Sequence, residues 1–468
     1  GGFAIVAGLE QVVEYINDLH FTEEDIAYLR TKGCFSEAFL EFLKDFKFNG
    51  DIWAIPEGTV VFPGEPLMIV RGRAIEAQFI ETYVLMMLNH QSLIATKANR
   101  IVRAADGRAV MEFGSRRSHG AMAAVHGARA AYIGGAVGTA CALDGRDYGI
   151  PALGTMAHSW VQMFDTELDA FLAYAKEYPQ SCTLLVDTFN VLKSGVPNAI
   201  EAFNREVVPR GFRPAGIRID SGDITYLSKK ARKMLDDAGF PDCGIVASNS
   251  LDEYLISDML EQGAEITSFG VGERMITAKS SPVLDGVYKL CAIEEDGKVI
   301  PKIKISENVT KITTPGVKEV WRLYDKETGK AEADVLTLTD EAGNDVDFEY
   351  MDCIEYEGKE YLVLIPTEEG KISAVFVKQS TSGMFWASEE IDEATQNAVI
   401  KCLKANNPSY KGHWDEFFFG AGDCTWEFKK NKSVTYTFEG AAVVAEDDEP
   451  VADEPVVDEP VVEEPVVD

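Results

Sequence analysis

Short apolar runs alternate with helical patterns between about residues 110 and 290 of the chain. Each run carries Gly, Asp, Ser or Asn at or near its end, and most are followed by apolar residues at helical spacing. Repeated β-loop-α units of this size predict a parallel sheet, and six or more of them favour a closed or partly closed α/β barrel. The runs are RAVMEFG, YGIPALG, TLLVDTF, AGIRIDSGD, CGIVASN and ITSFGVG.

A mixed pattern precedes these repeats. Helical spacing over residues 8–46 gives way to short β runs separated by Pro and Gly turns over 52–72. Residues 75–106 are predicted to form two helices, since apolar side chains recur there on one helical face. The N-terminal part is therefore expected to be a mixed α/β domain.

The pattern after residue 290 is rich in β runs, which predict a second β layer that contacts the barrel or completes the first β unit. The last residues repeat Glu, Pro and Val, and their recurring prolines and like charges prevent a packed core. We thus predict a mixed α/β N-terminal domain, a barrel domain, a β-rich C-terminal region and a disordered acidic tail, at residues 1–108, 109–290, 291–440 and 441–468.

Charge and composition narrow the class of protein. The net charge is −33, and the segment 446–468 supplies eleven of the acidic residues, which leaves −22 for the rest. An acidic surface repels nucleic acid and anionic membranes, so neither is an expected partner, and an anionic substrate needs a local basic pocket. No run of about 18 apolar residues predicts a transmembrane helix. The chain start lacks signal-peptide features and the eight cysteines are dispersed, so a cytoplasmic protein with reduced thiols is expected.

The segment LGTMAHSW contains His158, one of only six histidines. Residues 148–153 before it are short and apolar, as in a buried strand, and the residues after it have a helical pattern. His158 is therefore predicted on a strand-to-helix loop, where α/β enzymes carry catalytic groups. A histidine that packs against or caps the following helix is the alternative.

Two adjacent arginines, Arg116 and Arg117, follow the first apolar run in FGSRRSHG. The Gly-Ser turn and the Ala-rich helix predicted after it would combine guanidinium groups with a helix N-terminus, which suits a phosphate. Surface arginines in salt bridges are the alternative.

The segment RIDSGD places Arg218, Asp220, Ser221, Gly222 and Asp223 directly after another apolar run. A carboxylate pair around a Ser-Gly turn can coordinate Mg²⁺, hold sugar hydroxyls or stabilise a developing cation. N-capping of the next helix by Ser221 or Asp223 is the alternative, but it needs only one of these residues.

The last two apolar runs end in glycines and small polar residues: Ser248, Asn249, Gly270, Gly272 and Glu273. Glycines at a late strand end would let backbone N–H groups approach a phosphate, although a plain glycine turn also explains them. Another strand-end carboxylate precedes Thr and Phe in VDTF. The strand ends together predict an α/β-barrel enzyme for a phosphorylated or pyrophosphorylated, sugar-containing substrate.

At these same residues the chain resembles the nicotinate phosphoribosyltransferase family, from the N-terminus to about residue 335. The motifs that carry the resemblance are FGSRRSHG, GARAAYIGG, GTMAHSWVQMF, LLVDTFNVLKSGVPNAI, GIRIDSGD, IVASNSLDEY, GVGERMITAKS, GVYKL and IPKIKISEN. The resemblance implies a type II phosphoribosyltransferase fold, an irregular α/β barrel with a mixed α/β N-terminal domain, usually in a homodimer with shared active sites. It also implies synthesis of nicotinate mononucleotide and diphosphate from nicotinate and 5-phosphoribosyl-1-diphosphate, coupled to ATP hydrolysis, in the Preiss–Handler route to NAD.

The resemblance implies roles for individual residues as well. His158 matches the histidine that ATP phosphorylates, which is expected to alter substrate and product affinities rather than attack the ribose. Nicotinate is expected at Thr155 and Arg218, the diphosphate and phosphoribosyl groups at Arg116 and Arg117, and the ribose and Mg²⁺ at Asp220 and Asp223, beside Ser221 and Gly222. The 5-phosphate is expected at Gly270, Gly272 and Glu273, and Ser248 and Asn249 are expected among the substrate-binding residues.

Three departures from the family pattern stand out. The chain begins after the family's TDxYxLTM-type motif, whose Tyr stacks on nicotinate. Glu273 stands where many relatives have Thr, so only its backbone N–H is expected to face a phosphate. Residues from about 340 onward do not match. A nicotinamide phosphoribosyltransferase and an inactive homologue that acts as a binding or assembly module are the alternative functions.

Overall fold

The computed structural model describes residues 2–304, 315–318, 320–325, 335–339, 345–356, 359–366, 375–379, 385–386, 426–430, 433–439 and 442–447. Beyond residue 320, the side chains described are those of 433–436 and 438. The chain divides into two compact units, residues 1–316 with 432–468, and residues 317–431. Within the described ranges, no helix is both long and apolar enough to cross a membrane.

Four helices and four short strands form the N-terminal part of the first unit. They are β1 (Ala4–Ile5), α1 (Leu9–Asp18), α2 (Glu23–Thr31), α3 (Glu37–Lys44), β2 (Gly50–Ala54), β3 (Val60–Val61), β4 (Met68–Gly72) and α4 (Ala74–Ala104). Helix α2 begins at a capping box of Thr22 and Asp25, and the Ser36 hydroxyl caps α3. Apolar residues at helical spacing bury one side of α1.

Helix α4 corrects the prediction of two helices, because it is continuous over 31 residues. No Gly or Pro interrupts it. Polar residues such as Gln91, Ser92 and Thr96 do interrupt its apolar pattern, and their hydrogen-bond partners could not be predicted from the sequence. In the structure they are buried and hydrogen-bonded to the N-terminal segment; for example, Thr96 Oγ1 accepts from the Ile5 N–H at 2.9 Å. Tertiary partners thus allow one helix to run where the pattern breaks.

Six parallel strands form the central sheet: β5 (Ala109–Glu112), β6 (Gly138–Thr139), β7 (Thr183–Leu185), β8 (Gly216–Ile219), β9 (Gly244–Ser248) and β10 (Ser268–Val271). Their order is β6-β5-β10-β9-β8-β7, so the last strand pairs with the first. No pairing between β6 and β7 is found among the described residues. The sheet is therefore an incompletely closed α/β barrel, which confirms the predicted fold class.

One predicted strand of the barrel is wrong. Residues 148–153 were expected to form it, but helix α6 (Ala142–Tyr148) ends there at Gly149, whose φ of 67° suits glycine. Pro151 cannot donate a backbone hydrogen bond, and Ala152 forms only an isolated bridge to Thr139. The two-residue strand β6, which the apolar pattern missed, lies beside β5 instead.

Helices follow the barrel strands on the chain. Besides α6 they are α5 (Ala121–Ile133), α7 (His158–Gln162), α8 (Glu167–Glu177), α9 (Val196–Ala202), α10 (Ile224–Asp237), α11 (Glu253–Glu261) and α12 (Glu273–Ile276). π-helical turns flank α9, and a 3₁₀ turn at Ser115–Arg117 precedes α5. Side chains of β7, β8 and β9 such as Leu184, Ile217 and Ile245 are fully buried in one apolar core. This core holds the strand ends in fixed positions.

The rest of the described chain is β-rich. Strands β11 (Ala292–Glu295) and β12 (Lys298–Pro301) form a hairpin, and the second unit contains β13 (Trp321–Asp325), β14 (Val335–Thr339), β15 (Asp345–Tyr356), β16 (Lys359–Pro366), β17 (Val375–Gln379), β18 (Phe385–Trp386) and β19 (Trp426–Lys430). Strands β14 to β18 pair antiparallel in chain order, and β13 pairs with β19.

Two C-terminal strands, β20 (Val434–Glu439) and β21 (Ala442–Asp447), belong to the first unit. Strand β20 pairs antiparallel with β2, which also pairs with β4, so C-terminal residues complete the N-terminal sheet. Strand β21 covers the first residues of the predicted acidic tail, and residues 448–468 lie outside the described ranges. The four regions drawn from the sequence, and the three boundaries between them, stay predictions.

Candidate active site

Polar side chains meet at the carboxyl edge of the barrel sheet. Arg218 lies on β8, Asp220 follows that strand, Ser248 ends β9, and His158 begins α7. Because the carboxyl ends of neighbouring parallel strands lie at one edge, residues distant in sequence become neighbours there. His158 was predicted on a strand-to-helix loop; in the structure it is the first residue of α7, so only the helix that follows was predicted correctly.

Arg218 is the centre of the hydrogen-bond network at this edge. Its Nε donates to Ser248 Oγ at 2.8 Å, Nη1 donates to Thr155 Oγ1 at 3.0 Å, and Nη2 donates to Asp220 Oδ1 at 2.8 Å. A guanidinium has five N–H donors, so among the described residues one donor on each Nη atom stays unused. The Phe113 ring centroid lies 5.9 Å from the guanidinium carbon. Arg218 is thus fixed in place and still able to bind an anion.

Asp220 is held in its ionised form by this network. Burial raises the pKa of Asp220, but hydrogen bonds from Ser248 and Arg218 together lower it by more than burial raises it. The net pKa of Asp220 therefore lies below its ordinary value. Ser248 Oγ donates to the same Oδ1 atom that Arg218 contacts. The other oxygen, Oδ2, therefore points to the remaining space, where the imidazole of His158 lies.

His158 faces two carboxylates. Its Nε2 lies 3.8 Å from Asp187 Oδ1 and 3.8 Å from Asp220 Oδ2, while Nδ1 lies 3.0 Å from Thr188 Oγ1. Its side chain is 40% exposed, whereas that of Asp187 is 2% exposed. The imidazole bonds to the loop after β7 and does not cap α7, so the helix-capping alternative for His158 does not describe this structure.

Asp187 links the same loops. Its Oδ2 accepts from the Asp220 N–H at 3.0 Å and from Ser221 Oγ at 2.6 Å. Its Oδ1 is buried and has no hydrogen-bond partner among the described residues. A buried carboxylate oxygen without a hydrogen-bond partner is energetically unfavourable. It can accept a hydrogen bond from a donor or bind a cation.

Asp223 and Gly222 shape the start of helix α10 and the turn before it. Asp223 Oδ1 accepts from the Tyr226 N–H at 2.9 Å and caps α10, as the capping alternative proposed. Gly222 has φ of 83°, a conformation that glycine adopts without strain. Within the described chain, no group of three or more His, Cys, Asp or Glu side chains is arranged to hold a metal ion.

The two arginines of FGSRRSHG lie in the 3₁₀ turn after β5. Arg116 and Arg117 are exposed, and neither has a salt-bridge partner among the side chains described. The salt-bridge alternative for them therefore does not describe this structure. Charged groups that are free in this way can bind a ligand without first breaking an ion pair.

The glycine loop after β10 lies beside this turn, because β10 pairs with β5. A Cβ on Gly270 would lie 2.6 Å from the Phe113 ring, and one on Gly272 would lie 3.1 Å from the Phe113 carbonyl oxygen. A side chain at Gly270 would therefore clash with the Phe113 ring, and one at Gly272 would make a tight contact with the Phe113 backbone. Glu273 pairs with Lys279 at 3.1 Å; that hydrogen bond, with Lys279 and Arg117 charges nearby, lowers the pKa of the Glu273 carboxyl.

Three site residues were missing from the sequence-based set. Asp187 was noticed as a strand-end carboxylate without a role, and Thr188 and Phe113 appeared only as neighbours within quoted motifs. The position of Asp187 directly after an apolar run, two residues beyond the end of β7, was the available signal. Thr188 and Phe113 had no such signal, because their contacts join residues 30 and more than 100 positions apart.

Asn249, predicted among the substrate-binding residues, has φ of 89° and its Oδ1 accepts from Ser250 Oγ at 3.1 Å.

Comparison with known proteins agrees with this architecture. The nicotinate phosphoribosyltransferase (NAPRTase) N-terminal domain matches residues 1–89, and the nicotinate phosphoribosyltransferase (NAPRTase) family matches residues 108–335. The human nicotinic acid phosphoribosyltransferase crystal structure superposes with a TM-score of 0.62 at 23% identity, covering 87% of each chain. That likeness supports the predicted type II phosphoribosyltransferase fold.

Curated relatives are similar over most of the chain. The nicotinate phosphoribosyltransferase of Bacillus subtilis (strain 168) is 46% identical over 344 residues, 74% of this chain and 70% of that protein. The nicotinate phosphoribosyltransferase of Dictyostelium discoideum is 36% identical, over 79% of this chain and 69% of that protein. This chain therefore belongs to the nicotinate phosphoribosyltransferase family.

Proposed function

We propose that this chain forms nicotinate mononucleotide and diphosphate from nicotinate and 5-phosphoribosyl-1-diphosphate, a step of NAD biosynthesis. The names of the family and of its relatives support this reaction. The observation that carries it is Arg218, whose guanidinium is fixed by three hydrogen bonds and keeps a donor on each Nη. Two such donors match the two oxygens of a carboxylate. The adjacent Phe113 ring offers an apolar face for the pyridine ring.

Transfer of the ribosyl group needs charge stabilisation at two points. The C1–oxygen bond to diphosphate breaks and its electron pair leaves with the diphosphate, while the ring nitrogen of nicotinate supplies the pair for the new C1–N bond. The exposed Arg116 and Arg117 would neutralise the leaving diphosphate, and ionised Asp220 would stabilise the cationic ribosyl carbon. Fixing the nicotinate on Arg218 supplies the orientation.

Coupling to ATP is assigned to His158. The carboxylates of Asp187 and Asp220 favour a proton on Nε2, which leaves the Nδ1 lone pair toward the Thr188 hydroxyl. Attack of that nitrogen on the γ-phosphorus breaks the bond to the β–γ bridging oxygen, and ADP leaves with the electron pair. The positive charge that the imidazole gains would be balanced by the two carboxylates. The added phosphoryl charge then alters the affinities for substrates and products.

Mg²⁺ is expected to enter with the diphosphate sugar. This ion is commonly held by one or two carboxylates together with substrate phosphates, so a cluster of three protein ligands is not required. Asp220 Oδ2 is not used by Arg218 or Ser248, and Asp223 keeps one oxygen beyond its helix cap. Those two residues fit the ion, which would supply neutralisation of diphosphate charge.

We also propose a homodimer, because exposed apolar side chains follow the carboxyl ends of the barrel strands. Large apolar side chains are exposed in the loops and first helical turns that follow barrel strands, and a second copy of the chain would cover them. They are Met122, Phe189, Tyr226 and Tyr254, each between 51% and 66% exposed. Light scattering is expected to give twice the chain mass, and Phe189→Glu with Tyr254→Glu is expected to give the single mass.

The decisive test is product formation by the purified protein. Labelled nicotinate and the diphosphate sugar should yield nicotinate mononucleotide, faster with ATP, and nicotinamide should react poorly because it lacks a carboxylate for Arg218. His158→Ala should abolish ATP consumption and the formation of an acid-labile phosphoprotein. His20→Ala changes an exposed histidine that is distant from His158 in sequence, and it should abolish neither. Preference for nicotinamide would contradict the reaction, and equal ATP-coupled rates in His158→Ala would contradict the phosphohistidine.

A further inference from the structure

A buried lysine connects three segments behind the site. The side chain of Lys97, in the middle of α4, is 4% exposed. Its Nζ donates to Glu253 Oε2 at 2.6 Å and to Ser280 Oγ at 2.8 Å. Glu253 begins α11, and Ser280 lies in the turn after α12. An ammonium group is unfavourable in the protein interior unless it is paired, so these contacts constrain all three segments.

A second ion pair joins the same two loops. Asp252 caps α11 by accepting from the Leu255 N–H at 3.0 Å, and its other oxygen accepts from Arg274 Nη1. Arg274 belongs to α12, which directly follows Gly272. Asp252 therefore binds α12 directly through Arg274, while the adjacent Glu253 is connected to Ser280, after α12, through Lys97. The loop after β9 and the loop after β10 are connected twice.

Both loops contain strained backbone next to these contacts. Asn249 and Ser250 have φ of 89° and 53°, and Ala278 has φ of 43°. Residues other than glycine rarely adopt this left-handed region, and they hold it only where the surrounding structure fixes them. Glu253 lies three residues after Ser250, and Ser280 lies two residues after Ala278. The Lys97 contacts are thus close enough in sequence to maintain both conformations.

We propose that Lys97 is a positioning residue that, through Glu253 and Ser280, sets the two loops that receive the 5-phosphate of the sugar substrate. This rests on the proposed function, because the phosphate subsite is part of that reaction. Lys97 is buried and acts only through its partners. Nicotinate, in contrast, is proposed to bind Arg218 on strand β8, which contacts Ser248 at the end of β9 but has no hydrogen bond to Lys97, Glu253 or Ser280 in the structure.

The sharpest variant is Ser280→Ala, which removes one acceptor of Lys97 and keeps its ion pair with Glu253. We expect the KM for 5-phosphoribosyl-1-diphosphate to rise about three- to tenfold, the net effect of one typical hydrogen bond within a protein. The KM for nicotinate and the melting temperature should stay near the wild-type values. Ser281→Ala, at the neighbouring exposed serine, is the matched control and should change none of them.

A second pair of variants separates positioning from folding. Lys97→Met leaves Glu253 buried without its cation, so both the melting temperature and the affinity for the sugar substrate should fall. Lys97→Met with Glu253→Met removes both charges and should recover the melting temperature, while the KM for the sugar substrate stays raised. Recovery of that KM together with stability would make the pair merely structural and overturn the proposal.

The outcomes distinguish this inference from the proposed function. A wild-type protein that forms no nucleotide contradicts the function itself. An active wild-type protein whose Ser280→Ala variant keeps the same KM for the sugar substrate contradicts only the positioning role. A rise in that KM with an unchanged KM for nicotinate supports it.

Discussion

The two ends of the barrel strands carry opposite chemistry. At the carboxyl ends, Arg218 and Asp220 are ionised partners, and hydrogen bonds keep the pKa of Asp220 low despite its burial. At the amino ends, Cys182 precedes β7 and Cys243 precedes β9; both are buried, and burial raises the pKa of each thiol to about 12. The same sheet therefore stabilises charge at one edge and suppresses it at the other.

The difference follows from what surrounds each edge. Loops and helix starts at the carboxyl edge bring hydroxyls, backbone N–H groups and an arginine within hydrogen-bonding distance of the carboxylates. The amino edge near the cysteines is enclosed by apolar side chains of the barrel core. Burial alone opposes ionisation, whereas burial with oriented donors favours it. Four predictions test this contrast, in order of decreasing effect.

The largest effect is expected from Arg218→Met. It removes the donors that we propose for the nicotinate carboxylate and leaves Asp220 without its cation, so kcat/KM should fall by about a hundredfold or more, or about 3 kcal/mol. Arg213→Met is the matched control at the amino edge, where Arg213 pairs with Asp242 at the surface. Steady-state kinetics should show near-wild-type values for the control. Equal losses in the two variants would remove the contrast between the edges.

Asp187→Asn should have the next largest effect. The amide keeps an oxygen that can accept from the Asp220 N–H and Ser221, but it loses the charge that faces His158. The ATP-coupled rate should fall roughly tenfold or more, on the scale of one charge-assisted hydrogen bond, while the rate without ATP changes little. Parallel assays with and without ATP measure this split. A uniform fall in both rates would assign Asp187 a general structural role.

Glu112→Gln sharpens the contrast, because Glu112 ends β5 at the carboxyl edge but is fully buried. Burial raises its pKa more than the hydrogen bonds from Thr139 and the Gly114 N–H lower it. A raised folded-state pKa means that ionisation opposes folding, so the wild type loses stability as the pH rises through that pKa. Glutamine cannot ionise.

Thermal unfolding should therefore show that Glu112→Gln gains stability relative to the wild type as the pH rises from about 4 to 8. The expected gain is on the order of 1 kcal/mol, the scale of one buried hydrogen-bonded group. The change in this difference with pH is the informative quantity, because other groups titrate equally in both proteins. A difference that does not depend on pH would show that the pKa of Glu112 is the same in the folded and the unfolded protein.

The smallest effect on activity is expected from the amino-edge cysteines. Thiolates are the reactive form, so Cys182 and Cys243 should resist alkylation in the folded protein at pH 8, while the exposed Cys34 reacts. Mass spectrometry of labelled peptides measures each site. Cys182→Ala and Cys243→Ala should keep kcat/KM within about twofold, because neither residue is near the site. Rapid labelling of either buried thiol would contradict the suppressed ionisation.

Most of the residues at the carboxyl edge could be predicted from the sequence, because they directly follow apolar runs. Apolar runs predicted β7, β8, β9 and β10, and polar residues directly after parallel strands must lie at one edge. Arg218, Asp220 and Ser248 were expected there and are joined by hydrogen bonds. The prediction failed at residues 148–153, where an apolar run packs as loop and bridge instead of a strand.

The amino-acid sequence by itself determined the α/β class, the family and the residues that carry charge at the strand ends, because these depend on local periodicity and motifs. Only the tertiary structure decided which of those charges meet. It placed Asp187 and Thr188 against His158, engaged Asp223 as a helix cap, and paired Lys97 of α4 with Glu253, 156 positions away. Hydrogen bonds require donor and acceptor within about 3 Å, and that proximity arises only when the strands and helices pack.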